Sequence, residues 1–267
     1  MGAVELRTGP GLAHREAAAE GSVSGDPAFL LHGFPESSRM WEPLMEGLAA
    51  AGRDSIAPDL YGLGDSEGDG PATFEATLEA FTEFMEQRGL HRVALVVHDW
   101  GGFIGLAWAC EHPGRVASLV LSNTGFFSDA KWHGMAEAIR GEGGEAIVGA
   151  LDRDGFAALL GDAFGEDDVG AYWKPFEDGR GQRATLDFYR SMDFAKLAPW
   201  QGKLGALGVP TLLLWGADDQ FAPVAGAHRF GREIPGAKLV AIEGAGHFVF
   251  DEARERSIAE VLAFLAG

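Results

Sequence analysis

An apolar stretch that ends in an aspartate constrains this chain more than any other feature of its sequence. Residues 93–97 read VALVV, and the sequence HDWGG follows at 98–102. The apolar stretch predicts a buried strand, and the glycines predict a tight turn into a helix. Asp99 lies at this turn, where a carboxylate serves either as a nucleophile or as the N-cap of the helix. A carboxylate nucleophile suits displacement at a saturated carbon, because its attack on a carboxylic ester would give a high-energy anhydride.

Two later apolar stretches end in an acid and in a histidine, the residue types that assist a nucleophile in catalysis. One leads into Asp218 and Asp219, and the other leads into His247, which glycines precede. The chain order is therefore Asp99, then an acid, then His247, each beyond the end of a predicted strand. Ligands bind at the carboxyl ends of strands in open α/β sheets, so this order predicts a catalytic group at one edge of the sheet.

An earlier apolar stretch predicts the site of an oxyanion loop. Residues 28–31 lead into the sequence HGFP at 32–35. The turn that follows such a strand is the expected place for a backbone N–H, here that of Phe34, to stabilise an oxyanion. The N–H of Trp100, next to the proposed nucleophile, is the second donor of this kind that we expect.

Strand-like and helix-like segments alternate along most of the chain. This pattern predicts an α/β fold with a mostly parallel, eight-stranded sheet and helices on both faces. The predicted strands cover residues 4–7, 11–18, 28–31, 54–59, 93–98, 116–123, 210–215 and 238–242. The predicted helices cover residues 44–51, 74–88, 103–111, 224–234 and 253–264.

One long segment breaks the alternation. Residues 124–200 are rich in helix formers, glycine and acids, and they contain no strand-like stretch. They lie between two predicted strands of the sheet, so we expect a helical cap inserted over the active site. The predicted division is a core of residues 1–123 and 201–267 and a cap of residues 124–200.

Composition limits the classes of partner. The 267 residues are 46% hydrophobic, enough for a large core in one main domain. A formal net charge of -19 argues against binding to nucleic acid or to an anionic membrane. The single cysteine, Cys110, and the lack of a leader-like segment or a long apolar run predict a cytoplasmic protein, although a disulfide-free secreted protein would have the same cysteine count. We expect a monomer or a homodimer. No histidine spacing indicates a metal site.

The four motifs together resemble the aspartate-nucleophile branch of the α/β-hydrolase superfamily, which holds epoxide hydrolases and haloalkane dehalogenases. HGFP at residues 32–35 is similar to the branch's HGxP loop, and HDWGG at 98–102 to its nucleophile turn. The spacing from Gly216 through Asp219 to Pro223 is similar to its acid turn. Residues 244–247, GAGH, are similar to its histidine loop. The resemblance covers nearly the whole chain.

The resemblance implies a role for each residue. Asp99 would form an alkyl ester with the substrate, and His247, oriented by Asp219, would activate water to hydrolyse that ester. The backbone N–H groups of Phe34 and Trp100 would hold the oxyanion. The glycine-to-acid spacing of the family favours Asp219 over Asp218. No metal and no organic cofactor is implied, and the substrate would be a small apolar epoxide or haloalkane.

The leaving group depends on the donors that face Asp99. In epoxide hydrolases phenol O–H groups from the cap hold the ring oxygen, whereas in haloalkane dehalogenases indole N–H groups and an amide hold the halide. Tyr189, which precedes an arginine, and Phe34 of the HGxP loop both resemble the epoxide hydrolases, and the alternative for Tyr189 is a packing residue of the cap with its hydroxyl in solvent. Asn123 also occurs in one dehalogenase group, and Trp100 fits either activity.

The remaining candidates for substrate binding are aromatic. Trp132 and Trp173 are either halide donors or packing residues, and Tyr172 is either a hydroxyl donor or a packing residue. The early cap lacks the second tyrosine expected of epoxide hydrolases and has His133 among other residues there. We expect an epoxide hydrolase, with haloalkane dehalogenase as the alternative and a non-catalytic, ligand-binding relative as a remote one. Strand alternation predicts that His98 points away from Asp99.

Overall fold

All eight predicted strands are present in one sheet. The computed structural model describes residues 3–9, 11–66 and 70–267. Within these residues the strand order is β1-β2-β4-β3-β5-β6-β7-β8, with antiparallel pairing of β1 with β2 and of β2 with β4 and parallel pairing elsewhere. The strands are β1 Glu5–Arg7, β2 His14–Ala17, β3 Ala28–Leu31, β4 Ser55–Pro58, β5 Val93–His98, β6 Val116–Ser122, β7 Thr211–Gly216 and β8 Lys238–Ile242. The mostly parallel α/β architecture is therefore confirmed.

The first three helices pack on the sheet. They are α1 Glu42–Ala50, α2 Phe74–Gln87 and α3 Trp100–Glu111. The Thr73 side chain caps α2 by accepting a hydrogen bond from the N–H of Ala76 at 3.2 Å. Every residue of α3 except Glu111 is buried, because the helix crosses the middle of the sheet against β3, β5 and β6. It begins at Trp100, three residues earlier than predicted, and its two first glycines lie against the end of β3 and the loop after β6.

The chain between β6 and β7 is helical throughout its regular structure. It contains α4 Gly134–Arg140, α5 Gly144–Gly149, α6 Arg153–Leu160, α7 Glu166–Glu177, α8 Arg180–Ser191, a 3₁₀ helix Phe194–Trp200 and α9 Lys203–Ala206. The ring of Phe188 on α8 stacks on that of Trp100 on α3, with 4.0 Å between the centroids. The inserted helices therefore cover the end of the sheet at which Asp99 lies. Their separate status as a cap of residues 124–200 stays a proposal.

The last part of the chain completes the layers around the sheet. It contains α10 Ala225–Glu233, α11 Val249–Glu252 and α12 Arg254–Leu265. The helix α10 packs on β7 and β8, and α12 packs on α1 and β7. In the described residues, no helix is long and apolar enough to cross a membrane.

The turn after β5 places the backbone in a strained conformation. Asp99 has φ 44° and ψ -117°, a region that non-glycine residues rarely adopt. The neighbouring chain segments approach so closely that only glycine fits beside it. A Cβ on Gly101 would lie 2.4 Å from the carbonyl oxygen of Leu31, and one on Gly102 would lie 2.0 Å from Oγ1 of Thr124. The two glycines therefore allow α3 to begin against β3 and the loop after β6.

We expect Gly101→Ala to destabilise the fold, because the new methyl group meets a backbone oxygen that cannot rotate away. Overpacking of this kind costs about 1–3 kcal/mol in the free energy of unfolding. Gly149→Ala in α5 is the matched control, since nothing lies within 4 Å of a Cβ added at that position. Urea unfolding of the three proteins measures the difference. Equal unfolding free energies for Gly101→Ala and the wild type would contradict the steric role of this glycine.

Candidate active site

Asp99 projects from the turn into a partly enclosed site. Its Oδ2 accepts a hydrogen bond from the backbone N–H of Phe34 at 2.9 Å, and its side chain is 18% exposed. The hydroxyl of Thr124 donates to the backbone oxygen of Asp99 at 2.7 Å, which fixes the turn from the other side. Trp100 is the first residue of α3, so its N–H is free of the helix's own hydrogen-bond ladder. The carboxylate is thus held in place by backbone groups and remains accessible to a small molecule.

His247 lies between two carboxylates. Its Nδ1 is 2.9 Å from Oδ2 of Asp219, and its Nε2 is 3.8 Å from Oδ1 of Asp99. Asp219 also accepts hydrogen bonds from the backbone N–H groups of Phe221 and Ala222. The structure brings together the three residues that the motif order selected, from the ends of β5, β7 and β8.

Asp218 has a different contact. Its Oδ2 accepts a hydrogen bond from the N–H of Gly244 at 3.1 Å, which links the loops after β7 and β8. Asp218 therefore stabilises the loop structure, while Asp219 contacts the imidazole. The geometry thus selects Asp219 as the partner of the histidine, in agreement with the spacing argument.

Asn123 lies behind the acid and does not face either cavity of the site. Its Nδ2 donates to Oδ2 of Asp219 at 2.7 Å, and its Oδ1 accepts from the N–H of Gly216 at 3.3 Å. Both ends of the amide are therefore occupied. The structure differs here from the prediction of a leaving-group contact: Asn123 lines neither cavity, because its amide is used to position Asp219.

The charges of the site favour a protonated histidine at rest. Burial alone lowers the pKa of His247, but the hydrogen bond to Asp219 and the negative charge of Asp99 raise it to about 9. Burial raises the pKa of Asp219, and the hydrogen bond and charge of His247 then bring it below its ordinary value. The resting site is an imidazolium between two carboxylates.

A second histidine and a carboxyl group lie beneath the first histidine, and the sequence motifs did not reveal them as a pair. His98 is fully buried, its ring centroid is 5.1 Å from that of His247, and its Nε2 is 3.3 Å from Oε2 of Glu36. Burial, then the charge of His247, lowers the pKa of His98 to about 4, and burial raises the pKa of Glu36 to about 8. Both are therefore neutral at pH 7. The sequence signal for this pair was Glu36, a charged residue that directly follows the HGFP turn.

Tyr189 brings a hydroxyl group to the nucleophile from α8. The side chain is almost fully buried, and its ring packs edge-on against the indole of Trp100 with 5.0 Å between the centroids. Burial, and then the negative charge of Asp99, raise the pKa of Tyr189 well above its ordinary value, while the indole lowers it. The phenol therefore keeps its proton at physiological pH and can donate it as a hydrogen bond.

Two cavities meet at Asp99. The smaller compartment, of about 40 Å³, is bounded by Pro35, Met135, Ile139, Leu159 and Phe248. The larger compartment, of about 270 Å³, is bounded by Phe103, Phe127, Trp132, Phe194 and Pro223, among others. The residues that line both compartments are Asp99, His133, Tyr189 and Phe221.

His133 contributes a second polar group to the shared region. Its Nδ1 accepts a hydrogen bond from the N–H of Ala136 at 3.4 Å and so caps α4. Burial, then the charge of His247, lowers the pKa of His133, so the ring is neutral at pH 7. In a neutral ring with an accepting Nδ1, the proton is on Nε2. His133 therefore supplies an N–H donor that the sequence motifs did not assign.

The remaining aromatic candidates pack rather than bind. The indole N–H of Trp132 donates to the backbone oxygen of Met192 at 3.3 Å, so Trp132 presents only its ring to the larger compartment. Tyr172 and Trp173 lie on α7 and line neither compartment. Trp173 stacks on Phe176 with a centroid separation of 5.5 Å. The structure therefore does not support the predicted substrate contacts of Trp132, Tyr172 and Trp173 through polar groups.

Comparison with known proteins agrees with this architecture. Residues 27–254 match the family model for the alpha/beta hydrolase fold. A haloalkane dehalogenase from Sphingobium indicum is 28% identical over 91% of this chain and 89% of its own length. A cis-3-alkyl-4-alkyloxetan-2-one decarboxylase from Xanthomonas campestris pv. campestris is 26% identical over 92% of this chain and 90% of its own.

A solved structure shows the same fold. The epoxide hydrolase VrEH1 from Vigna radiata superimposes with a TM-score of 0.80 at 23% identity, and 98% of each chain is covered. The family model matches well over half of the chain. The protein therefore belongs to the α/β-hydrolase family, and haloalkane dehalogenases and epoxide hydrolases are among the proteins to which it is similar.

Proposed function

We propose that the protein is an epoxide hydrolase that works through an alkyl ester on Asp99. The observation that carries this proposal is the buried phenol of Tyr189, which lines the same two cavities as Asp99 and packs edge-on against the indole of Trp100. A hydrogen-bond donor beside a carboxylate nucleophile suits an epoxide, because the ring oxygen gains negative charge as the ring opens and remains in the product. The relative named as an oxetanone decarboxylase also acts on a strained oxygen-containing ring.

Ring opening uses the donors of the shared region. A carboxylate oxygen of Asp99 attacks one epoxide carbon, and the bond from that carbon to the ring oxygen breaks. Tyr189 O–H and His133 Nε2–H hydrogen-bond the oxygen as negative charge develops on it. In net terms, the alkoxide takes up the proton that the imidazolium of His247 loses. The product of this step is a hydroxyalkyl ester on Asp99 and a neutral His247.

Ester hydrolysis restores the resting site. Neutral His247 takes a proton from a water molecule, and the hydroxide attacks the ester carbonyl of Asp99. The N–H groups of Phe34 and Trp100 hold the resulting oxyanion. Collapse releases the diol and leaves Asp99 ionised and His247 protonated, so the net reaction adds one water to one epoxide.

Haloalkane dehalogenase is the second candidate, favoured by Trp100 next to the nucleophile and by the dehalogenase relative. The donors for a halide are few. Phe34 has no side-chain donor, the N–H of Trp132 is bonded to Met192, and Asn123 is bonded to Asp219. Of the indole and amide donors that the dehalogenases use, only the indole of Trp100 is left for a halide among these residues, and its ring packs against that of Tyr189.

We expect His247→Gln to form the ester and fail to hydrolyse it, because glutamine cannot act as a base. Intact mass spectrometry after substrate addition should show one adduct per chain, and peptide mapping should place it on Asp99. His228→Gln, an exposed position on α10, is the control that should turn over normally. An adduct on another residue, or turnover by His247→Gln at the wild-type rate, would disprove the assignment.

Esterification of Asp99 should convert His247 from an acid into a base. The charge of Asp99 stabilises the imidazolium, so removing that charge lowers the pKa of His247. Asp99→Asn imitates the neutral ester. We expect NMR titration of the His247 ring to give a pKa clearly lower in Asp99→Asn than in the wild type, where it is about 9. An unchanged value would show that Asp99 does not control the histidine.

Tyr189→Phe separates the two candidate activities. With an epoxide, we expect a loss on the order of 10²-fold in turnover, by analogy with the removal of one oxyanion donor. His133→Phe should give a smaller loss of the same kind, and Tyr61→Phe, outside both compartments, should give none. Diol formation and free halide are measured for each variant. Halide release that survives Tyr189→Phe and is severely slowed by Trp100→Phe would establish the dehalogenase instead.

A further inference from the structure

His247 lies in the loop between β8 and α11, where neither a strand nor a helix fixes its backbone. Its ring nevertheless has a defined position, with Nδ1 2.9 Å from Oδ2 of Asp219 and Nε2 3.8 Å from Oδ1 of Asp99. An imidazole keeps such a position only when the main chain that carries it is held as well. The contacts of the peptide groups on either side of His247 therefore matter for its chemistry.

The side chain of Glu252 contacts the main chain on both sides of His247. Its Oε2 accepts a hydrogen bond from the backbone N–H of Gly246 at 2.6 Å, and its Oε1 accepts one from the N–H of Phe248 at 3.0 Å. Each oxygen of the carboxylate thus has its own donor. Hydrogen bonds to an ionised carboxylate are about twice as strong as neutral ones. A single side chain therefore fixes the residue before the histidine and the residue after it.

The opposite side of the loop packs on β7. A Cβ on Gly216 would lie 1.8 Å from the carbonyl oxygen of Gly246, so the two segments are in direct contact. Nδ2 of Asn123 donates to the same oxygen at 3.2 Å. These contacts hold the Gly246 side of the loop, whereas Glu252 also holds the N–H of Phe248. The carboxylate thus presses the loop against β7 and fixes its far end.

Helix capping explains only one of the two contacts. Phe248 is the N-cap residue of α11, and Glu252 is the last residue of that helix. A glutamate that reaches back to the N–H of the N-cap residue is a common way to stabilise a helix start. The shorter contact, however, is to Gly246, two residues before the cap. That contact stabilises the histidine loop itself.

We propose that Glu252 is a positioning residue for His247 and acts through the peptide groups on both sides of the imidazole. Its effect should be largest on ester hydrolysis, because His247 must then take a proton from the attacking water. Attack by Asp99 depends on it less, since the carboxylate is held by the N–H of Phe34 and by its own turn. This inference rests on the ester mechanism of the proposed function, and it holds for an epoxide and for a haloalkane alike.

Single-turnover kinetics separate the two steps. Rapid quenching and intact mass spectrometry give the rates of ester formation and decay, with 1,2-epoxyhexane or, if the wild type releases halide, with 1-bromohexane. Glu252→Ala should slow ester decay by about tenfold or more and formation by less than about threefold, since a displacement of 1 Å costs on the order of 10²-fold. A residue that only supported folding would reduce the active fraction and leave both rates unchanged.

Two further variants complete the kinetic test. Glu252→Gln keeps one of the two acceptors, so it should slow ester decay by about threefold or more. It also carries the test if circular dichroism shows that Glu252→Ala does not fold. Glu255→Ala removes an exposed carboxylate three residues further along the chain and is the control, with wild-type rates for both steps.

The hydrogen bond between His247 and Asp219 provides a readout that needs no substrate. Its Nδ1 proton gives a low-field proton NMR signal, which is assigned by its loss in His247→Gln. We expect this signal to broaden or disappear in Glu252→Ala and to stay unchanged in Glu255→Ala. If neither substrate forms an ester, the proposed function fails, and the NMR signal still decides the positioning proposal. An unchanged signal, or ester decay at the wild-type rate, in a folded Glu252 variant would overturn it.

Discussion

The chemistry of this site depends on a tight backbone turn at Asp99, where neighbouring chain segments approach so closely that only glycine fits between them. Asp99 has a positive φ, and α3 starts against the carbonyl oxygen of Leu31 and the side chain of Thr124. A Cβ on Gly33 would similarly lie 2.4 Å from that of Asp99. The glycines therefore bring three chain segments together, and the free N–H of Phe34 reaches the carboxylate as a result.

The electrostatics follow from that placement. A carboxylate fixed 3.8 Å from Nε2 of His247 adds to the effect of Asp219, so burial fails to keep the imidazole neutral. In the proposed cycle His247 changes from an acid to a base and back, because Asp99 loses its negative charge when the ester forms and regains it when the ester is hydrolysed. The buried neutral pair of His98 and Glu36 beneath it adds no compensating charge at neutral pH.

The sequence predicted the sheet and the residues Asp99, Asp219 and His247, because a short local pattern marks each of them. An apolar strand followed by a glycine turn is visible in ten residues, and parallel strands bring such turns to one edge.

The position of Asn123 was not predictable, because the same residue type at the same strand end can face the cavity or the acid. Its hydrogen bonds with Asp219 and Gly216 decide this, and both partners lie more than 90 residues further along the chain. The contact of Trp132 with Met192 spans 60 residues and was equally hidden. His98 was predicted to point away from Asp99, and the structure adds that it lies under His247.

The inserted helices share one unusual attachment. Arg140 on α4 donates to the backbone oxygens of Tyr189 and Met192 at the end of α8, so a single guanidinium joins the two helices. His133 caps the first of these helices, and Tyr189 lies on the second. The two donor groups are therefore carried by helices that Arg140 links directly, so one residue outside the catalytic group ties the position of the phenol to that of the imidazole.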